Sequence, residues 1–503
     1  MVDKSSSTSK NKPRKRIPKR ILIPILIALS LQFSGPVTIS DFPQLFEGKL
    51  IDYFNITTQG VQAMYSVTGL VGLVLDPTFG FIIQSIGFGF SCITFQFFTL
   101  IGIAALAVAV SHSSFLMFVV SRFLIGVALD ALWVWQAPAC EKWFSESYMT
   151  LALSSSLILG ALVTSITTYY MPIIYVNTGN IILSVLFAGS ICLVCFIGSF
   201  VFTYYDKRYE HLVEIEGLED VDKSNQASRS GAKISHLLKI TPLAYPVVIS
   251  VFLYPMMLRQ FTNSMTDFIT VRYGIAFIEA KNLSAFLQIT RAIFALIASA
   301  LMTKYGKRSL GLLLSPILHL AAQLVFTVLP AEGQTSIWVL YLTVLTIAIG
   351  DAIFCCCGWS SFMTCCPSKL GQIGSAILLL LLNLNFTLMP VFLGWLTKER
   401  TVQAYTHENY FFVGLAFLCL CIGISAVYID TRKYGGVLMK QENDEAVRKF
   451  KGSINREYEK ILKGESTLSG GDGPDYLKAE GDGEKEEEEM SFELKKIDSE
   501  YKN

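Results

Sequence analysis

The sequence is poor in charge: Asp, Glu, Lys and Arg make up 16% of its residues, where a soluble globular chain carries roughly a quarter. That scarcity argues against a water-facing surface over most of its length. The marks of soluble catalysis are also missing. There is no Gly-Lys-Ser/Thr phosphate loop, no His-Glu-x-x-His pair and no Gly-x-Ser-x-Gly elbow, so an ATP-driven pump, a zinc hydrolase and a serine hydrolase all lack support. The reading is of a non-enzyme with no cofactor. All eleven cysteines fall inside or at the cytosolic ends of apolar segments, and a disulfide framework is not expected. No metal site is expected either, because Cys355, Cys356 and Cys357 would point to different faces of one helix. They read as small packing residues, with Cys365-Cys366 the candidate for S-palmitoylation at a membrane edge.

What the chain does contain is long apolar runs. Hydrophobic residues make up 52% of it, and runs of about 20, the length that crosses a bilayer core, recur at 21–40, 60–83, 88–111, 113–136, 149–172 and 179–204, then at 243–268, 282–302, 309–330, 336–360, 370–394 and 409–429. This predicts an all-α polytopic membrane protein of twelve transmembrane helices in two bundles of six. The predicted organisation is a basic tail (1–20), an N-terminal bundle (21–204), a linker (205–241), a C-terminal bundle (242–430) and a largely disordered tail (431–503) that opens with a possible charged helix through Leu462.

Net charge is +1, which conceals a strong asymmetry. Lys and Arg crowd one set of span ends, at Lys12 to Arg20, Lys207-Arg208, Lys304 to Arg308 and Arg432-Lys433; the positive-inside rule assigns these ends and both tails to the cytosol. The basic N-terminal segment is explained by topology and anionic lipid heads, so no nucleic-acid partner is expected. The opposite side then carries two N-glycosylation sequons, Asn55-Ile56-Thr57 and Asn282-Leu283-Ser284, while Asn385-Phe386-Thr387 lies inside an apolar run. Tyr209-Glu210-His211-Leu212 and Tyr458-Glu459-Lys460-Ile461 fit the loose tyrosine-based sorting pattern, which makes an accessory or sorting protein on the cytosolic loop or tail a candidate partner, beside a small-molecule solute and the bilayer.

Ionisable side chains within a span are expensive in lipid and are therefore site candidates. They are Asp76, Arg122, Asp130, Arg259, Asp267, Arg291, His319 and Asp351. Asp130 either binds an ammonium group or proton, or pairs with a neighbouring helix; it stands about 80° around and about 12 Å along the helix from Arg122, too far for a direct pair. Arg259 and Arg291 either clamp a carboxylate or form internal pairs with Asp267 or Asp351. Asp351 precedes Trp359 on one helix, where the ring either meets an amine or anchors at the interface; Gln136 and Tyr254 are lesser binding candidates. His319 reads as structural, bonded to a carbonyl or to Gln323. Gating candidates are Asp41, a gate residue or helix cap, Arg122, the Asp76-Pro77 kink, and Lys304 with Arg308; Gly35-Pro36 marks a second kink.

Ser121-Arg122-Phe123-Leu124-Ile125-Gly126 and Thr303-Lys304-Tyr305-Gly306-Lys307-Arg308 resemble, respectively, the fourth-helix pattern and the basic cytosolic hinge of the major facilitator superfamily. Within it, Ser40-Asp41-Phe42-Pro43, Ser121 through Trp143-Phe144, and Trp359 followed by Pro367-Ser368-Lys369-Leu370-Gly371 are most like the lysosomal dipeptide transporter branch, that of major facilitator superfamily domain-containing protein 1. The resemblance implies two bundles rocking by alternating access, a lysosomal or other endomembrane location, with the plasma membrane as the other possibility, and an acidic residue at Asp130 that recognises a substrate amine. Two departures stand out: Gly80 to Gly89 lacks the acidic-then-basic gate pair, and Met149 to Pro172 holds no Arg, Lys or His, although the family's fifth helix uses a basic residue to hold peptide. The expected function is a secondary transporter, uniporter or ion-coupled, of a small polar solute such as a dipeptide or amino-acid-like zwitterion. The alternatives are a transporter-like receptor or trafficking scaffold, and a sugar or organic-anion facilitator.

Overall fold

The structure, a computed structural model, describes residues 18–144, 146–214, 241–331, 335–367, 371–441 and 444–462. It has the twelve-helix architecture expected. The long helices of the first half are α1 (Lys19–Ser40), α3 (Thr58–Ile86), α4 (Phe88–Ser111), α5 (Phe115–Trp143), α6 (Glu146–Thr178) and α7 (Ile181–Glu214). Those of the second half are α8 (Ala244–Tyr273), α9 (Phe277–Tyr305), α10 (Arg308–Val328), α11 (Ile337–Cys365), α12 (Gly371–Leu396) and α13 (Val402–Lys433). Two shorter helices, α2 (Phe42–Phe54) and α14 (Glu445–Leu462), complete the described set.

Among the described residues, ten helical stretches are long and apolar enough to cross a membrane. α3 and α8 are the two long helices outside that set. The outer surface agrees with a lipid environment: Val328 is 83% exposed, Trp338 76% and Phe81 67%, a pattern water would penalise.

The chain divides into two compact units. The first comprises residues 1–227 with 277–288 and 386–398; the second comprises 228–276, 289–385 and 399–503. In the first unit α4 packs against α5 and α7, and α1 lies among α5, α6 and α7. Close helix approach there depends on glycine. A Cβ on Gly102 would stand 2.7 Å from Ile125 Cγ1, and one on Gly126 would stand 3.1 Å from Thr68 Cα, so α5 is gripped by α4 and α3 at two bare backbone positions. In the second unit α13 packs between α8 and α10, and α10 also carries α11.

Two expectations need correction. The 41–59 stretch, left between the first two predicted spans, holds helix α2, whose Phe42, Leu45, Phe46 and Leu50 are buried. The chain breaks at Asp41 and bends again at Phe46 (φ −128°), whereas α1 runs on through Pro36 and α3 through Asp76 and Pro77. α7 continues to Glu214, past the point where the linker was expected to begin; residues 215–240, and with them most of that linker, lie outside the described residues. The charged helix expected in the C-terminal tail forms and ends at Leu462. This helix, α14, buries Val447, Phe450, Ile454 and Tyr458, with the Phe450 ring 5.4 Å from Tyr434. The strand of chain before it is stitched to the basic hinge, since Lys307 N donates to Met439 O at 3.0 Å and the Gln441 amide donates to Lys304 O. Tyr458 of the second sorting pattern is therefore enclosed rather than displayed. The basic N-terminal segment 1–17 and the residues beyond 462 are outside the described residues.

Candidate functional site: two sets of buried polar residues

In the first unit the polar groups gather around α5. Asp130 is half-buried, and its Oδ2 has no hydrogen-bond partner among the described residues. The facing helix α3 brings the Gly72 backbone within hydrogen-bonding reach and Asp76 close enough to act on it electrostatically; Gly72 and Asp76 are one turn apart and so share a face. Gln136, further along α5, is 4% exposed with its Nε2 unpartnered. Pro77 lies within α3, next to Asp76.

α6 contributes hydroxyls and no cation. Ser155 faces Ser30 of α1 at 3.0 Å, and Ser156, Thr164 and Thr167 donate to carbonyls of their own helix. The hydroxyls are thereby satisfied without a ligand.

Arg122 is 1% exposed and donates to Ile39 O at 3.2 Å and Ser40 O at 3.0 Å. These are carbonyls at the C-terminal end of α1, where the backbone has lost its helical partners; the guanidinium closes that end and also lies 5.7 Å over Tyr65. Asp41 begins α2 without capping it by its side chain, accepting instead from Ser40 Oγ at 3.0 Å. Asp41 thus stands at the N-cap position of α2 without a side-chain capping bond. Tyr65 Oη receives Gln44 N at 2.6 Å, and Lys281, 1% exposed, donates to Gln44 O at 2.5 Å within the same unit. Glu47, buried at 2%, accepts from Gln62 at 3.0 Å. Lys281 and Glu47 were not singled out in the sequence because both lie at or beyond predicted span ends.

The second unit brings together Arg291 of α9, Asp351 of α11 and Tyr254 of α8. Arg291 Nη1 stands 3.4 Å from Asp351 Oδ2, and Cys355 Sγ lies 3.4 Å from Asp351 Oδ1. Tyr254 is 1% exposed, stacks on Phe354 at 4.1 Å and leaves its hydroxyl without a hydrogen-bond partner among the described residues. His319 closes this cluster from behind, edge-on to Tyr254 at 5.9 Å and 3.2 Å from Gln323 Nε2, the structural placement expected of it. Trp359 is 37% exposed, with its ring 6.1 Å from Phe362; it lies two turns beyond Asp351.

Of the alternative ion pairs, Arg291 with Asp351 forms. Asp267 pairs instead with Arg400, Nη2 to Oδ2 at 2.7 Å, a partner the sequence hid because it lies in a connection. Arg259 is half-buried on α8. Lys304 is exposed and stacks over Tyr305 at 5.2 Å, whereas Arg308 is 4% exposed and donates to Thr364 Oγ1 at 2.7 Å. Only the second of these two hinge cations is thus locked into a helix end. The buried acid Glu408 on α13 went unnoticed in the sequence, since the predicted span began one residue after it.

Among the described residues no group of three metal-ligating side chains converges. An apolar groove of about 300 Å³ on α1 and α7 is lined by residues such as Pro24, Leu31 and Val201, with no ionisable side chain among its lining. Cys366 is 6% exposed, and burial pushes its thiol up to about 11; Cys365 is fully buried. Neither offers an accessible thiolate, so the palmitoylation expectation is not supported. Asn55 is exposed in a left-handed turn, whereas Asn282 lies in the second turn of α9 beside buried Leu283 and Ser284. Asn385 lies within α12 and donates to Phe252 O at 3.1 Å.

Comparison with known proteins places this geometry. The chain is 20% identical over 438 residues to a protein of Danio rerio named lysosomal dipeptide transporter MFSD1, covering 84% of this chain and 90% of that one. The Bos taurus protein of the same name is 20% identical over 436 residues, covering 83% and 87%. In fold, it resembles a POT family transporter solved with a thioalcohol-conjugated peptide (TM-score 0.60, 14% identity, 82% of this chain and 96% of that one). It also resembles a POT family transporter solved with 5-aminolevulinic acid (TM-score 0.58, 13% identity, 83% and 98%). Residues 21–386 match the family described as Major Facilitator Superfamily, and with twelve long helices, buried ionisable groups and an apolar exterior, the chain belongs to that superfamily.

Proposed function

We propose that this protein is a secondary transporter of short peptides or amino-acid-like zwitterions, working by alternating access as a uniporter or an ion-coupled carrier. The observation that carries the reading is Asp130: a carboxylate oxygen buried without a hydrogen-bond partner, with a second acid, Asp76, nearby. Such a group is costly until a cation reaches it, and a substrate ammonium is a cation that can arrive and leave. Arg259 and Arg291 supply the opposite charge for a carboxylate. The Arg291 to Asp351 distance of 3.4 Å is longer than the 2.7–2.9 Å of a strong charge-assisted bond, which leaves Arg291 able to exchange Asp351 for a substrate carboxylate. The names of the curated relatives favour dipeptides and a lysosomal or related endomembrane. Both termini are assigned to the cytosol by the charge asymmetry, and the glycan, where one is carried, belongs on Asn55.

The test is counterflow of radiolabelled dipeptides, amino acids, sugars and organic acids into liposomes containing the purified protein. Dipeptide or amino-acid exchange that disappears in Asp130→Asn, in protein that still elutes as a folded monodisperse species, is the expected result. Exchange indifferent to Asp130, Arg259 and Arg291 together would overturn the site, and exchange confined to sugars or organic acids would overturn the substrate class.

A further inference from the structure

Glu408 sits on the second turn of α13 with no exposed surface, and both of its carboxylate oxygens are buried without a hydrogen-bond partner among the described residues. The groups around it are committed elsewhere. Ser264 of α8 is near enough to interact, yet its hydroxyl donates along its own helix to Gln260 O and Phe261 O at 3.3 and 3.4 Å. Asp267, one turn on, adds a like charge and already holds Arg400 at 2.7 Å. Arg272 donates to Thr406 Oγ1 at 2.9 Å and to Phe326 O at 3.1 Å. The neighbouring Asn409 amide is taken by Thr327 Oγ1 at 2.6 Å.

The helices packed against α13 are α8 and α10, joined at its far end by the turn Val437–Met439. α8 carries Arg259, Asp267 and Arg272; α10 carries Arg308 and His319, the latter held by Gln323. On α13 itself His407 is exposed, while Asp430, Arg432 and Lys433 stand at the opposite end. Ionised, Glu408 is therefore a buried negative charge whose electrostatic neighbour, Asp267, is of like sign. Burying that charge is expensive, and one added proton removes it. The Arg400 side chain is 31% exposed, so the Asp267–Arg400 pair connects the acid to the unit's surface.

We propose that Glu408 is a proton-binding site of the second unit, loaded by way of the Asp267–Arg400 pair. The step is the simplest one: a hydron adds to the Glu408 carboxylate to give the neutral acid, with no electron transferred. It occurs at the end where α8 stops and α13 starts, which the positive-inside reading assigns to the lumen. The site goes beyond the substrate reading and needs no particular solute, so it can be tested without one.

Full-length purified protein with glutamate carboxyl carbons labelled with carbon-13 is followed by infrared spectroscopy while the pH is raised from about 6.5, where exposed carboxylates are already ionised. A label-sensitive carboxylic acid band, lost in Glu408→Gln, is expected. In Asp267→Asn the like charge beside Glu408 is gone, and the band should disappear at a lower pH than in the wild type. If Glu408→Gln does not fold, Glu408→Asp serves: the acid band must persist and lose its sensitivity to labelled glutamate. A wild-type protein with no labelled acid band, or a band unmoved by substitution at Glu408, overturns the proposal while leaving the transport reading untouched.

Discussion

The two units bury ionisable groups differently at their candidate sites, although the first also holds a paired acid, Asp206 with Lys142 at 2.9 Å. In the second, Asp351 holds Arg291 and Asp267 holds Arg400, Asp430 is held by Ser309 Oγ and Leu438 N, and both oxygens of Glu408 lack a hydrogen-bond partner among the described residues. In the first, Asp130 has another acid, Asp76, as its electrostatic neighbour, and the buried Arg122 is spent on backbone carbonyls at the end of α1. A paired charge is largely paid for by its partner, whereas an acid beside an acid demands a mobile cation. On the proposed function, amine recognition belongs to Asp130 in the first unit and charge exchange to Arg291 and Asp351 in the second.

The sharpest way to break this contrast is at Asp130. Asp130→Asn should reduce dipeptide exchange by about 10- to 100-fold, the equivalent of losing a charge-assisted hydrogen bond of about 1.5–3 kcal/mol, with no fall in Tm because a buried carboxylate is being neutralised. A drop in Tm with transport intact would make Asp130 a packing residue. Arg122 should behave in the reverse manner. Arg122→Ala removes two donors from the α1 carbonyls and should destabilise the protein by about 3 kcal/mol, read as a lower Tm in detergent; an unchanged Tm would return Arg122 to the gating candidates.

These two residues also mark what was legible in the sequence. Both were visible as charges inside apolar runs, because hydropathy makes any such charge conspicuous, and the same contrast delineated the helices. What a side chain touches was not legible. Arg122 serves a helix break at Asp41, in the stretch between the first two predicted spans, and that stretch is itself a buried helix, since Phe42, Leu45, Phe46 and Leu50 recur at helical spacing. Asp267 found its partner in Arg400, a residue outside every predicted span. Glu408 and Lys281 were missed for a related reason: they stand at span ends, where a charge attracts no notice, and burial by neighbouring helices cannot be read from one segment alone. The folded tail was foreseen only as a charged helix, because docking onto the hinge depends on Met439 and Gln441 meeting Lys307 and Lys304.

The second unit's pair makes a subtler test. At 3.4 Å, with the arginine side chain 28% exposed, the Arg291–Asp351 interaction should show a coupling energy of only about 1 kcal/mol in a double-mutant cycle for stability. Exchange should nevertheless fall in Arg291→Ala, since the substrate carboxylate loses its clamp. A coupling of several kcal/mol with transport unaffected would make the pair a fixed strut.

The smallest expected effect separates the two sequons. Asn55 is exposed at a left-handed turn between α2 and α3, with Thr57 capping α3 by accepting from Gly60 N at 3.3 Å, so the acceptor side chain is clear of the helices on either side. Asn282 is held in helical geometry between buried Lys281 and Leu283, and an amide that must be presented in an extended, accessible segment is not presented there. In cells, Asn55→Gln should abolish the glycan-dependent gel shift and Asn282→Gln should leave it unchanged, neither altering Tm by more than about 0.5 kcal/mol equivalent. A shift lost only in Asn282→Gln would mean that the first turns of α9 are open when the chain is modified, and would therefore set the time at which Lys281 reaches Gln44 after glycan transfer rather than before it.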